Sequence, residues 1–291
     1  MKIGFFTVWE DLPKGSGYGL WTPAYWLTIA VVLAGILLGR ACITSQVRRA
    51  VRAEAAAGGR LKEGAPEAER PGDGRPNGSG GLTAEERAAR RWLLFIPLFM
   101  VGMEVFKQSF LLLTGHFSVD RLPLHLCSLG PYVFLLAEGM PRRGLRQAFR
   151  EIACVLILPG SLLALAMPDW TRFPVWDFFN LYGYLWHGLL VLYPSLILSL
   201  GLVRPRLRHI WYEVLFACAV IPPIYVFNKR FDTNYFFVNW PIRHTPLMAL
   251  ARLMGVPGYL AGYFGLMVLV VVIVYGIYGL LGRLKERRGK V

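Results

Sequence analysis

Apolar residues in this chain come in long blocks, with neither the alternation of strands nor the heptads of a coiled coil. Seven blocks, at 19–39, 92–114, 122–140, 152–167, 178–202, 210–228 and 257–282, are long enough or nearly so to cross a hydrocarbon core of about 30 Å as helices. The fourth is short, and the sixth carries Pro222-Pro223. Residues 240–256 (WPIRHTPLMALARLMGV) are too polar to span and read as an interfacial or re-entrant segment. One long hydrophilic stretch, 41–91, separates the first two blocks, and its run RPGDGRPNGSGG (70–81) has nothing to bury. At its far end, Thr83-Ala-Glu-Glu86 has the spacing of a capping box opening the second helix. The pattern predicts an all-α, polytopic transmembrane bundle of about seven spans, six at the fewest. Its parts are an N-terminal segment with the first transmembrane helix (1–40), a disordered basic cytoplasmic linker (41–91), a transmembrane core (92–282) and a basic cytoplasmic tail (283–291).

Composition agrees. With 55% apolar residues, 17% charged and a mean hydropathy of +0.44, a water-soluble globule and a disordered chain are both excluded. The net charge of +14 would suggest nucleic acid in a soluble protein. Here the basic residues lie mostly between apolar blocks, which points to topology and to anionic lipid headgroups at the cytoplasmic loops, with no nucleic acid as partner. Along strict alternation of seven spans, 23 Lys and Arg fall on one side and 8 on the other, with Lys107 inside a span. The positive-inside rule then puts the N-terminus outside and the C-terminus in the cytoplasm. Cys42, Cys127, Cys154 and Cys218 show no close pairing, so disulfide and structural-zinc readings fail on spacing, and no metal or other cofactor is expected.

Polar residues at bilayer depth mark candidate sites. Span 2 carries Glu104, Lys107 and Gln108 on one helical face. Span 3 opens with His125 and Cys127, span 5 carries His187, and span 6 ends towards Asn228, Asn234 and Tyr235. At 1.5 Å per residue, Lys107 and Gln108 lie roughly 9–11 Å, Cys127 about 7 Å and His187 about 13 Å below the outer ends of their spans. All of these fall in the outer half. Pro131 removes the N–H that would bond to the Cys127 carbonyl, and Cys127 sits in the first turns of a short helix, where the dipole favours a thiolate. His125 lies two residues from Cys127 and points away from it on a regular helix, so His187 is the better base, and one of the two histidines is expected within about 5 Å of the sulfur. Glu104, Lys107, Gln108, Asn228, Asn234 and Tyr235 are the expected substrate contacts. No GxSxG, Walker or HExxH pattern occurs.

The segments LPLHLCSLG (122–130), LYGYLWHGLLVLYPSLIL (181–198) and TNYFFVNWP (233–241) resemble the YwaF-type bacterial integral membrane proteins, relatives of vertebrate membrane acyltransferases acting on ether phospholipids. The resemblance implies acyl transfer through a Cys–His pair, its cysteine falling on Cys127 and its histidines on His125 and His187. It also implies a multi-pass protein of the bacterial plasma membrane. The expected activity is therefore a Cys/His-dependent lipid acyltransferase or transacylase, with a membrane phospholipid as substrate. A small-solute transporter or channel, and a non-catalytic membrane scaffold, are the alternatives.

Overall fold

In the computed structural model, which describes residues 4–63, 82–242 and 245–288, every regular element among the described residues is helical. Helix α1 spans Pro23–Glu63, α2 Ala84–Leu113 and α3 Leu126–Gly139. Helices α4 (Arg143–Ile152) and α5 (Leu158–Ala166) run on through a π-helical turn, Ala153–Ile157. They are followed by α6 (Phe178–Ser199), α7 (Trp211–Phe231), α8 (Pro246–Met254) and α9 (Tyr259–Arg288). Among the described residues, six helical segments are long and apolar enough to cross a membrane, and the 14-residue α3 is a shorter apolar helix. The chain is a multi-pass membrane protein.

Pairings between helices show that α3 is nevertheless a full pass of the bundle. Near one end, Gln108 of α2 bonds the Arg121 carbonyl just ahead of α3. Near the other, Glu138 of α3 and Glu86 of α2 share Arg150 of α4. The same levels recur in every long helix. Tyr25 of α1 meets Ala166, Asn228 of α7 meets Tyr235, and Tyr259 of α9 meets Phe237 at the first end. Gln46 of α1 meets Arg91, and Tyr275 of α9 meets Glu213 of α7, at the second. Among the described residues, the six long segments and the shorter α3 therefore run back and forth between the two ends. An apolar layer that includes Ile96, Met100, Phe134, Ile157 and Leu190, all buried, lies between the two ends.

Residues 4–22 form a strap across the first end. Phe178 N–H donates to the Phe5 carbonyl (2.8 Å), Thr7 N–H to Asp177 (3.3 Å) and Gly19 N–H to the Thr171 carbonyl (3.3 Å). The Tyr18 hydroxyl reaches Asn180 and Tyr184, and ion pairs join Glu10 to Arg121 and Asp11 to His116. Gly17 is required by the approach, since a Cβ there would lie 2.4 Å from the Thr171 oxygen. The first end is the strap end; the second, after Arg146 and Arg150, is the arginine end.

Two expectations need correction. Residues 41–63 are not linker: α1 continues through them, because a run dominated by Ala, Arg and Glu is strongly helix-forming and is tied down by Arg91–Gln46 and Arg87–Glu54. The run 70–81 lies outside the described residues. The fourth span is not short, for its helix begins at Arg143, and Arg146, Arg150 and Glu151 in its first turns are buried inside the bundle as partners of other segments. Within 240–256, Pro246–Met254 forms a nine-residue helix packed on α9. The Thr83–Glu86 capping box is present as read, Glu86 N–H donating to the Thr83 hydroxyl (3.1 Å) and Thr83 N–H to the Glu86 carboxylate (2.8 Å).

Candidate functional site

The polar face of α2 folds onto itself and onto α6. The Lys107 ammonium lies 2.9 Å from Glu104 Oε1, which also accepts from Gln108 Nε2 at 2.8 Å. Tyr182 of α6 donates its hydroxyl to Glu104 Oε2 at 2.5 Å, and its ring lies 5.0 Å beneath the Lys107 ammonium. One turn on, Trp186 stacks against Tyr182, with centroids 5.4 Å apart. The Trp186 indole N–H then donates to the Cys127 carbonyl at 3.3 Å. That carbonyl is available because Pro131, four residues on, has no N–H to give it. Glu104, Lys107, Gln108 and Cys127 thus converge, joined through α6.

His187 is the next residue of α6, so its side chain leaves the helix about 100° from that of Trp186. It stacks on Trp170 (centroids 4.6 Å, planes 18° apart), and its Nδ1 lies 2.8 Å from the Gly183 carbonyl. A carbonyl can only accept, so Nδ1 carries the proton and Nε2 keeps its lone pair. No hydrogen bond among the described residues joins His187 to the Cys127 sulfur. His125 stands at the N-cap of α3, where its carbonyl accepts the N–H groups of Ser128 and Leu129, and its ring packs on Tyr235 and Phe237.

Three expected substrate contacts are committed elsewhere. Asn228 is fully buried; its Oδ1 accepts from the Thr233 hydroxyl and Tyr235 N–H (both 2.9 Å), and its Nδ2 donates to the Tyr235 carbonyl (2.8 Å). Asn234 bridges Asn239 and Trp240, and the Tyr235 hydroxyl donates to the Val119 carbonyl (2.6 Å). Their role is to fold the 232–241 loop and press Tyr235 and Phe237 against His125. Burial pushes the Tyr235 phenol up to about 12. Gln108 is restricted too, since both amide protons are used, on Glu104 and on the Arg121 carbonyl (2.7 Å). Lys107, with three ammonium donors and one carboxylate partner, retains capacity.

Reading the sequence missed Tyr182, Trp186 and Trp170. Tyr182 and Trp186 share a face at i and i+4, a spacing that signals a common partner but does not name it. It also missed the arginine end. There Arg150 bonds Glu86 (2.6 Å) and Glu138 (3.0 Å), Arg146 bonds Glu86 (3.3 Å), and Tyr193 donates to Glu138 (2.6 Å). Beside them Glu151 binds His209 (2.7 Å) and Gln147 (2.8 Å), and the Tyr275 hydroxyl lies between Glu151 and Glu213. No group of three or more His, Cys, Asp or Glu side chains among the described residues is placed to hold a metal ion.

Compared with known proteins, the chain matches the model of the TMEM164 family over residues 18–275. No curated protein and no solved structure matches it.

Proposed function

The chain belongs to the TMEM164 family, and from that premise and the strap-end geometry we propose that it is a Cys127-dependent lipid acyltransferase or transacylase. The Cys127 thiol gives its proton to His187 Nε2 as the sulfur attacks an ester carbonyl of a phospholipid. Lys107 stabilises the oxyanion. The C–O bond breaks, the lysophospholipid alkoxide takes the proton back from His187, and the acyl chain remains as a thioester. An acceptor hydroxyl, deprotonated by His187, then attacks the thioester, and the thiol is restored.

The observation that carries this reading is the pair of consecutive residues on α6. Trp186 holds the carbonyl of Cys127, while His187, facing Trp170, has Nδ1 on a backbone oxygen and a free Nε2 that a turn of the ring would bring to the sulfur. The resemblance of LPLHLCSLG and the later-helix histidine to the YwaF-type proteins supports the same pairing. The apolar layer of Met100, Phe134 and Leu190 between the two polar ends counts against a solute path through the bundle. With the buried Arg146 and Arg150 set aside, the division of basic residues is 21 to 8, which still supports a site in the outer half of a bacterial plasma membrane, with an outer-leaflet phospholipid as donor.

The test is transfer of a labelled acyl chain between phospholipids by the full chain reconstituted in vesicles. Cys127→Ala and His187→Asn are expected to abolish it while the protein elutes and melts normally. Full product formation by Cys127→Ala sinks the reading. A membrane-impermeant maleimide should label a cysteine introduced at position 118 in intact cells; protection there moves the site to the cytoplasmic leaflet.

A further inference from the structure

Where α1 leaves the apolar part of the bundle, its stripe of positions 40, 44, 48 and 52, one residue per turn, turns basic. Arg40, Ala41, Thr44, Ser45, Arg48, Arg49 and Arg52, with Ser199 from the end of α6, line an open groove of about 580 Å³. Its four arginines form no ion pair among the described residues. The nearest acids are otherwise placed: Glu54 binds Arg87, and Glu85 lines a neighbouring depression with Arg48 and Arg52 without pairing to either. The Thr44 hydroxyl is buried with no hydrogen-bond partner. Four cations and an unpartnered hydroxyl in one concave surface make a site short of an anion.

We propose that this groove binds the phosphate of an acidic phospholipid headgroup. Depth favours a lipid over a free phosphate. Arg40 lies about 26 Å along α1 from Pro23, near the edge of a hydrocarbon core of about 30 Å, where lipid phosphates sit. Below it, Leu33 and Leu37 continue the same stripe at helical spacing and are exposed, which gives an acyl chain an apolar track directly beneath the headgroup. Arginine's planar fork suits phosphate oxygens. The groove is at the arginine end, opposite Cys127, so its occupancy is independent of the acyl-transfer reading.

The experiment follows the melting temperature of the purified full chain in neutral detergent with added phosphatidylglycerol, phosphatidylcholine or inorganic phosphate. Phosphatidylglycerol should raise it and phosphatidylcholine should not. In Arg48→Ala/Arg52→Ala, both exposed positions, the phosphatidylglycerol concentration needed should rise roughly thirtyfold, about fivefold for each arginine removed. Arg283→Ala, an exposed control on α9, should leave it unchanged. Equal responses to the two lipids, or an unchanged response in the double variant, overturn the proposal. A phosphate response matching that of phosphatidylglycerol overturns the lipid as the source. Should the double variant melt low without additive, the wild-type protein is loaded with labelled phosphatidylglycerol and challenged with unlabelled lipid. Displacement by phosphatidylglycerol but not by phosphatidylcholine then supports the proposal, and equal displacement by both overturns it.

Discussion

Each end of the bundle holds a glutamate paired with a cation inside the helical core, but the two pairs are built differently. At the arginine end, Glu86 serves Arg146, Arg150 and its own capping box, while Arg150 spans Glu86 and Glu138 and also reaches the Leu202 carbonyl. The Arg150 guanidinium is fully used and fixes three chain segments to its own helix, although Arg146 Nε beside it is buried without a partner. At the strap end, Lys107 has one carboxylate partner, His187 has one nitrogen committed, and the Gln108 carbonyl oxygen is buried without a partner. A saturated network can hold helices together; one with donors and a lone pair to spare can also bind and transfer. The difference is between groups whose bonding capacity is spent on holding helices together and groups with capacity left over.

The largest effect should come from breaking the saturated end. Arg150→Met leaves Glu86 and Glu138 buried without their shared cation, and is expected to cost about 3–5 kcal/mol, read as a fall in melting temperature in detergent. A loss below about 1 kcal/mol would mean that the network relaxes freely and the contrast fails. Lys107→Met should act the other way round. It is expected to lower acyl transfer by about 10²–10³-fold, as for loss of an oxyanion donor, while Tyr182 and Gln108 continue to hold Glu104 and the melting point falls less than in Arg150→Met. If stability and activity fall together, Lys107 belongs with the structural charges.

How far the sequence discloses this arrangement depends on whether a residue's partner lies within its own helix. The seven passes, the capping box and the shared face of Glu104, Lys107 and Gln108 are local patterns and could be read directly. Arg146 and Arg150 could not. In one dimension they look like positive-inside loop charges, and only the fold shows that both are buried against Glu86 and Glu138. At Asn228 and Asn234 the sequence could not show that these amides are bonded within their own loop. The helix over 41–63 was obscured by a sequence that suits a solvated helix and a linker alike.

The smallest effect concerns the strap. Burial raises the Glu10 carboxyl and its bonds to Arg121 more than offset this, leaving it below its ordinary 4.5. A lowered carboxyl stabilises the fold above its unfolded value, and that contribution disappears as pH falls through the folded value. Protease cleavage within residues 4–22 should therefore accelerate below about pH 4, by an amount equivalent to under about 1 kcal/mol because the pair is half exposed. Glu10→Gln should flatten that rise, and an unchanged profile would assign the strap's hold to its backbone bonds alone.

The strap also sets an order of assembly. Glu10, Tyr18 and Thr7 are synthesised early, yet their partners Arg121, Asn180 and Asp177 lie 111, 162 and 170 residues further along. Phe6 can pack on Phe106 and Phe110 once α2 is made, but Phe5, Thr7 and Tyr18 lack their distant partners until the chain reaches Asp177 and α6. Docking of the strap therefore cannot be completed during biogenesis before α6 arrives, although the residues of the strap are the first to be made.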